Sequence, residues 1–305
     1  MSEFLTNSIA DNIEKFNKLG SGSLLYTETD GKTTRKPFYD FLSDPIKANW
    51  SDSLEELHDE QKATVHPIDY FERRTVLDYL SDYLSKTGTP IICDFGCSTG
   101  YMLNELDKAK PDSTLIGVDI IESGLIKLHK RNPNYLLFKF DITHIPFPND
   151  FLDFIVCLNV LEHIEDDELV IKEFKRILKP EGVMCLVVPY GDKLFDYYDE
   201  ACMHVRRYAK KELTKKLKNA GLQVVKHGFL NSIMYLPFSI KKRRNIRLNK
   251  DNDKDLMESI SEDINISSSS LMRALFKLDY CVSKTLKFPF GIREMVLVKT
   301  ANLNI

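Results

Sequence analysis

Residues 91–100 read Ile91-Ile92-Cys93-Asp94-Phe95-Gly96-Cys97-Ser98-Thr99-Gly100, an apolar run that ends in an acid and breaks into a glycine-rich turn. Beyond the turn, Met102, Leu103, Leu106 and Ala109 recur at helical spacing. A short buried strand, a tight turn and a helix form the opening unit of a sheet with helices packed on it. Gly96 and Gly100 admit backbone conformations that a Cβ disfavours. The turn is expected to bring backbone N–H groups and a helix N-terminus close to a ligand.

Working outward, Val76, Leu77, Leu80, Tyr83 and Leu84 give one apolar face to a helix starting at Pro67, with Gly88 and Pro90 as its stop. Downstream, short apolar runs at 115–118, 136–140, 154–158 and 183–188 read as buried strands. A helical stretch with Val170, Phe174, Ile177 and Leu178 lies before the last of them and is followed by Pro180 and Gly182. Strands alternating with helices imply a parallel sheet covered on both faces, and right-handed crossovers make it doubly wound α/β. A helix over 211–220 stopped at Gly221, a strand over 222–225 and a last strand over 294–299 bring the strands to seven.

Four segments follow: a polar arm over 1–66, a core over 67–228, an insertion over 229–291, and a last strand with tail over 292–305. The arm carries an aromatic cluster (Phe38, Tyr39, Phe41, Trp50), which predicts that it is ordered against something. The insertion runs from an apolar stretch, 229–240, through a basic one, 241–250, to a polar one with four consecutive serines. It ends in a helix over 271–286 with Leu271, Leu275, Leu278 and Val282 on one side. A connection this long is expected to act as a lid. Lys241, Lys242, Arg243 and Arg244 are expected to form a solvated face rather than a contact with a membrane surface.

A net charge of −3 gives no electrostatic case for sequence-independent nucleic-acid binding. Residues 1–20 contain charges but no apolar stretch of a signal peptide, and no apolar run is long enough to span a bilayer. Cys93, Cys157 and Cys185 sit in strand-like runs, which suits buried thiols in a reducing cytoplasm. Cys93 and Cys97 have no second pair at metal-ligand spacing, so no metal site is expected.

The strand ends carry the chemistry. Asp119 closes the second strand, where a carboxylate can accept from both hydroxyls of a ribose, with Ile120 beside it. Asp141 and Ile142 close the third, an acceptor for an exocyclic adenine amine and an apolar neighbour for its ring. The fourth ends in Asn159-Val160-Leu161-Glu162-His163, next to the first loop. Four successive strand ends thus line one nucleoside-shaped crevice.

The run 91–188 resembles the class I S-adenosylmethionine-dependent methyltransferases, especially the subfamily of ubiquinone- and menaquinone-biosynthesis enzymes. The matching pieces are the loop 94–100, Asp119, Asp141-Ile142, the stretch 159–163 and Leu178-Lys179-Pro180-Glu181-Gly182. His204-Val205-Arg206-Arg207-Tyr208 is similar to that subfamily's segment after the fifth strand. Ser98 departs from the glycine often found there. The resemblance implies that S-adenosylmethionine is the cofactor, with Gly96, Gly100 and Asn159 at its methionine part, Asp119 at the ribose and Asp141 at the adenine.

Asp94 and Cys97 complete the loop, and Asp94 either touches the cofactor or organises the loop's N–H groups. Arg73 or Arg74 could reach the cofactor carboxylate. His204, in a loop after the fifth strand, is the candidate general base, and His163 is either a second base or a locally bonded side chain. Arg206 and Arg207 are expected to be solvated or to clamp an anionic substrate group. The expected reaction is methyl transfer to an oxygen, nitrogen or carbon of a small-molecule or saccharide-type acceptor. A non-catalytic cofactor-binding partner protein is the first alternative. A nicotinamide-dependent oxidoreductase is the second, and it lacks here the third glycine of its fingerprint. The oligomeric state is not encoded in any motif.

Overall fold

A computed structural model describes residues 23–27, 33–42, 67–248 and 270–300. In chain order the elements are β1 (Ser23–Thr27), β2 (Thr33–Asp40), α1 (Pro67–Leu84), β3 (Ile91–Phe95), α2 (Tyr101–Ala109) and β4 (Thr114–Asp119). Then come α3 (Glu122–Arg131), β5 (Leu136–Lys139), β6 (Leu152–Leu158), α4 (Asp167–Ile177) and β7 (Leu178–Pro189). They are followed by α5 (Tyr197–Ala201), α6 (Glu212–Asn219), β8 (Leu222–Leu230), α7 (Tyr235–Leu248), α8 (Ser270–Ser283) and β9 (Arg293–Thr300).

The sheet runs β1-β2-β5-β4-β3-β6-β7-β9-β8. The seven expected strands form its body; β2 to β7 pair in parallel, and β9 enters antiparallel between β7 and β8. The chain moves outward from β3 to β5, then returns to start again at β6, so the order switches between β3 and β6. Such a switch opens a crevice at the carboxyl ends of those strands.

Successive strand residues alternate between two cores. In β7, Met184, Leu186 and Val188 join Phe95, Phe140, Phe147 and Phe174 under α4 and α6. Val183, Cys185 and Val187 join Val76, Leu80, Leu103, Leu106 and Leu128 under α1, α2 and α3. Cys93, Cys157 and Cys185 are buried free thiols, as expected.

The arm adds β2 to the sheet edge, paired with β5 through Tyr39 and Asp40, and β1 outside it. Its aromatic residues explain why: Phe38 is buried and Tyr39 stacks on Phe138 at 5.0 Å. Trp50 lies outside the described residues, as does the serine-rich middle of the insertion.

Two local expectations need correction. The strand over 222–225 continues to Leu230 because β9 pairs with it on both sides of a bulge at Val225. Helix α8 is rotated from the expected stripe. Leu271 and Leu278 are exposed, while Phe276 and Asp279 face inward. Asp279 accepts from the Ile233 N–H at 2.6 Å, and Tyr280 packs on Phe71 of α1. Capping of the turn after β8 outweighs leucine burial there.

Candidate functional site

The loop after β3 is held by β4. The Gly96 and Cys97 N–H groups donate to the Val118 carbonyl at 2.8 and 3.0 Å, and the Ser98 N–H donates to Asp119 Oδ2 at 2.7 Å. The Gly100 N–H closes the turn on the Cys97 carbonyl. These four N–H groups therefore fix the loop, while Tyr101 and Met102 at the N-terminus of α2 line the cavity. Gly96 and Gly100 both have positive φ, +76° and +81°. A Cβ at Gly96 would collide with the Val160 side chain, and one at Gly100 with Leu128 of α3. Gly100 thus serves close helix packing, and it is not among the residues lining the crevice.

That crevice is a cavity of about 720 Å³. At one end it is lined by Asp94, Gly96, Cys97, Ser98, Asp119, Ile120, Asp141, Ile142 and Asn159, with Arg73 from α1. Of the residues expected there, only Gly100 is missing. Each Asp119 oxygen already accepts one backbone bond, from Ser98 and Ile121. A carboxylate has further lone pairs, so both oxygens can still accept from a ligand. Asp141 accepts from the Thr143 N–H at 2.8 Å. The Asp94 carboxyl is buried, and burial, then the charge of Asp119, pushes its pKa up to about 8 against the pull of Arg73. Arg73 and Arg131 lie over the Tyr101 ring, 5.4 and 5.5 Å from its centre.

Asn159 reaches outward to a network that the sequence reading missed. Its side-chain amide donates to Glu72 Oε1 at 2.9 Å, and Arg293 at the start of β9 donates to Glu72 Oε2 at 2.6 Å and to Asp69 at 3.1 Å. Burial raises the Glu72 pKa, opposed by Arg293. The signal was present: Glu72 and Arg73 continue the inward face of α1 four and three residues before Val76.

At the other end the cavity is lined by Glu162, His163, His204, Arg207, Phe238 and Lys242. His163 closes a 3₁₀ turn after β6, and its ring meets that of His204 edge-on, centroids 4.8 Å apart. His163 Nδ1 lies 3.3 Å from the Met203 carbonyl, and His204 Nδ1 lies 3.1 Å from Asp199 Oδ1. Glu162 is 1% exposed, and burial pushes its pKa up to about 7, opposed first by His204.

Asp199 is the centre of this end, and no motif marked it. Arg207 donates to its Oδ1 at 2.9 Å and Lys242 of α7 to its Oδ2 at 2.7 Å. Burial opposes ionisation, but the His204 hydrogen bond and the two cations hold the carboxyl well below the usual range. Lys242 also pairs with Asp196 at 2.5 Å, so it is buried and the basic run is not one solvated face; Lys241, Arg243 and Arg244 do face solvent. Arg207 donates in addition to the Tyr190 and Ile292 carbonyls, and Arg206 pairs with Asp167. Both arginines hold the chain together rather than standing solvated.

The chain matches the family model described as a Methyltransferase domain over residues 57–227, more than half its length. It is 27% identical over 135 residues to a protein of Mycolicibacterium smegmatis named a probable S-adenosylmethionine-dependent methyltransferase, covering 44% of this chain and 52% of that one. It is 24% identical over 184 residues to a Bacillus subtilis protein named as a candidate 23S rRNA (guanine-N(1)-)-methyltransferase, covering 58% and 62%. The chain thus spans between half and two-thirds of the length of these relatives. A solved structure of a candidate sarcosine dimethylglycine methyltransferase from Galdieria sulphuraria shares the fold. Its TM-score is 0.54 at 14% identity, over 82% of this chain and 99% of that one. Among the described residues no helix is long and apolar enough to cross a membrane. The chain belongs to the methyltransferase-domain family, of the class I S-adenosylmethionine-dependent type.

Proposed function

We propose that this protein transfers the methyl group of S-adenosylmethionine to a hydroxyl oxygen of a small-molecule or saccharide-type acceptor. One observation carries the reading: the strand-end acids and the His163–His204 pair line a single continuous cavity. The donor set fits the cofactor. Asp119 has lone pairs to accept from the ribose hydroxyls, Asp141 and Ile142 flank the adenine, and Gly96, Asn159, Arg73 and Asp94 surround the amino-acid end. The bound cofactor supplies an electrophilic methyl group, activated before the protein acts.

The chain's own residues then hold the acceptor in line and keep water out. His204, with Nδ1 fixed by Asp199, presents Nε2 to the cavity beside His163 and Glu162. That cluster manages the hydroxyl proton, which a nitrogen or activated-carbon acceptor would not require. Phe238 and Lys242 bring α7 over this end, which supports the insertion as a lid. The relative named for ribosomal RNA suggests a nucleic-acid acceptor instead, and the test includes one.

The test is conversion of S-adenosylmethionine to S-adenosylhomocysteine with pools of phenols, saccharides and ribosomal RNA fragments. Turnover with a hydroxyl-bearing small molecule, lost in His204→Ala, is the expected result. Turnover with RNA alone, or cofactor binding without turnover of any pool, would overturn the acceptor assignment, and the second outcome favours a non-catalytic partner protein.

A further inference from the structure

The two sides of α7 differ in kind. Its sequence, 235–248, carries Lys241, Lys242, Arg243, Arg244 and Arg247 and no acid, although the whole chain has a net charge of −3. Lys242 turns inward to Asp196 and Asp199, Asn245 donates to Asp196 at 3.0 Å, and Ser239 is buried on the same side. The Arg207 guanidinium lies over the Phe238 ring, 5.4 Å from its centre. The helix is thus pinned to the body along one side, and its other side is held outward.

That outer side has two halves. Leu236 and Ile240, one turn apart, are 66% and 59% exposed, and Pro237 between them is exposed too. Arg243, Arg244 and Arg247 follow three, four and seven residues beyond Ile240, so they continue the same face, and all three are exposed. Among the described residues none of these arginines has a carboxylate within ion-pair distance. Phe290, also exposed, packs on Tyr235 with ring centres 5.1 Å apart and widens the apolar half. The 3₁₀ turn Asp192–Leu194 packs against α7 and adds one exposed acid and one exposed lysine, which offset each other.

Single exposed apolar residues are ordinary. Here, however, a leucine and an isoleucine share one face with arginines that no acid neutralises, which replaces the expectation of a merely solvated basic run. An anionic bilayer meets both halves: the headgroup–acyl boundary takes the apolar side chains, and lipid phosphates take the guanidinium groups. A nucleic-acid backbone would meet the arginines and leave Leu236 and Ile240 in water.

We propose that the outer face of α7 docks this protein on an anionic lipid bilayer, with Leu236 and Ile240 entering the headgroup–acyl boundary and Arg243, Arg244 and Arg247 pairing with lipid phosphates. From Leu236 to Arg247 the helix rises about 16 Å, so both halves reach one surface when α7 lies along it. Phe238 and Lys242 of the same helix line the cavity, and docking therefore brings the acceptor end next to the bilayer. The inference goes beyond the methyltransferase reading and does not depend on it.

The test is co-sedimentation of the untagged full chain with vesicles of phosphatidylcholine alone and of phosphatidylcholine with phosphatidylglycerol, about 7:3. An RNA oligonucleotide is titrated in parallel by fluorescence anisotropy. Wild type is expected to bind the anionic vesicles and not the neutral ones, less tightly as salt rises. Each arginine at such a surface contributes roughly fivefold, so Arg243→Gln/Arg244→Gln/Arg247→Gln is expected to bind about a hundredfold more weakly. Leu236→Ser/Ile240→Ser is expected to lose at least about tenfold. These side chains are exposed, so the melting temperature of both variants should match wild type. A wild type that ignores anionic vesicles overturns the inference, as does an arginine variant that binds them equally well. Equal binding by the Leu236 and Ile240 variant overturns the proposed insertion. RNA binding without vesicle binding overturns the inference and assigns the face to a nucleic acid.

Discussion

Cofactor binding is expected to release a proton from Asp94. In the free protein its carboxyl is buried among apolar strand residues, next to Asp119, and titrates at about 8. At pH 7 that makes the carboxyl about 0.9 protonated by simple titration. A cationic amino group at the methionine end favours the ionised form, so binding drives the proton off. The affinity is expected to rise about tenfold from pH 6 to 7 and about fivefold from pH 7 to 8, then level off. The cofactor's own amine loses its proton near pH 8, so the comparison with Asp94→Asn isolates the side chain. The assay is titration calorimetry at pH 7 in phosphate and in Tris, whose ionisation heats differ. Wild type should release about 0.9 more proton per cofactor than Asp94→Asn. Equal release by the two proteins would refute the placement of Asp94 beside the cofactor's cation. The same shift sets a stability trend. Because the folded pKa lies above the unfolded one, its contribution is complete at acid pH and is lost as pH rises through about 8. In Asp94→Asn that slope should be absent.

Gly100→Ala combines a left-handed backbone cost of about 1–2 kcal/mol with overpacking against Leu128 of about 1–3 kcal/mol. Thermal melting should fall by roughly 4–10 °C, whereas Gly88→Ala, with nothing near its added Cβ, should change little. Arg293→Met leaves Glu72 buried with Asn159 as its one side-chain hydrogen-bond partner among the described residues, and breaking such a pair costs about 3 kcal/mol. Because burial raises the Glu72 pKa and Arg293 opposes it, the loss should be larger at high pH, where the carboxyl is ionised, and shrink in acid; a pH-independent loss in melts across acid and alkaline pH would contradict the buried pair.

The strand-end lining of the cavity was legible because its parts are local. A strand, a glycine turn and a helix lie within 20 residues, and the acids follow at the ends of the next strands, where the sheet itself fixes their neighbours. Periodicity found those strands, and topology did the rest. The charged networks around both ends were not legible, since Asp199 meets Lys242, and Glu72 meets Arg293, only in the folded chain. Lys242 shows the physical reason. A hydropathy pattern reads a basic run as solvated, yet two buried carboxylates outweigh the desolvation of that one ammonium. Arg207 misled in the same way, held by carbonyls far along the chain. The arm's place at the sheet edge was half legible: its aromatic residues announced packing, but β2, with Pro37, does not read as a strand.

The most direct test is calorimetric titration of wild type and Asp119→Ala with S-adenosylmethionine and, separately, with NAD. Wild type should bind S-adenosylmethionine and not NAD. Loss of two hydrogen bonds to a charged acceptor, about 3 kcal/mol together, should weaken binding by about a hundredfold in Asp119→Ala. No binding of S-adenosylmethionine, preference for NAD, or equal affinity in the variant would contradict the assignment of the cavity.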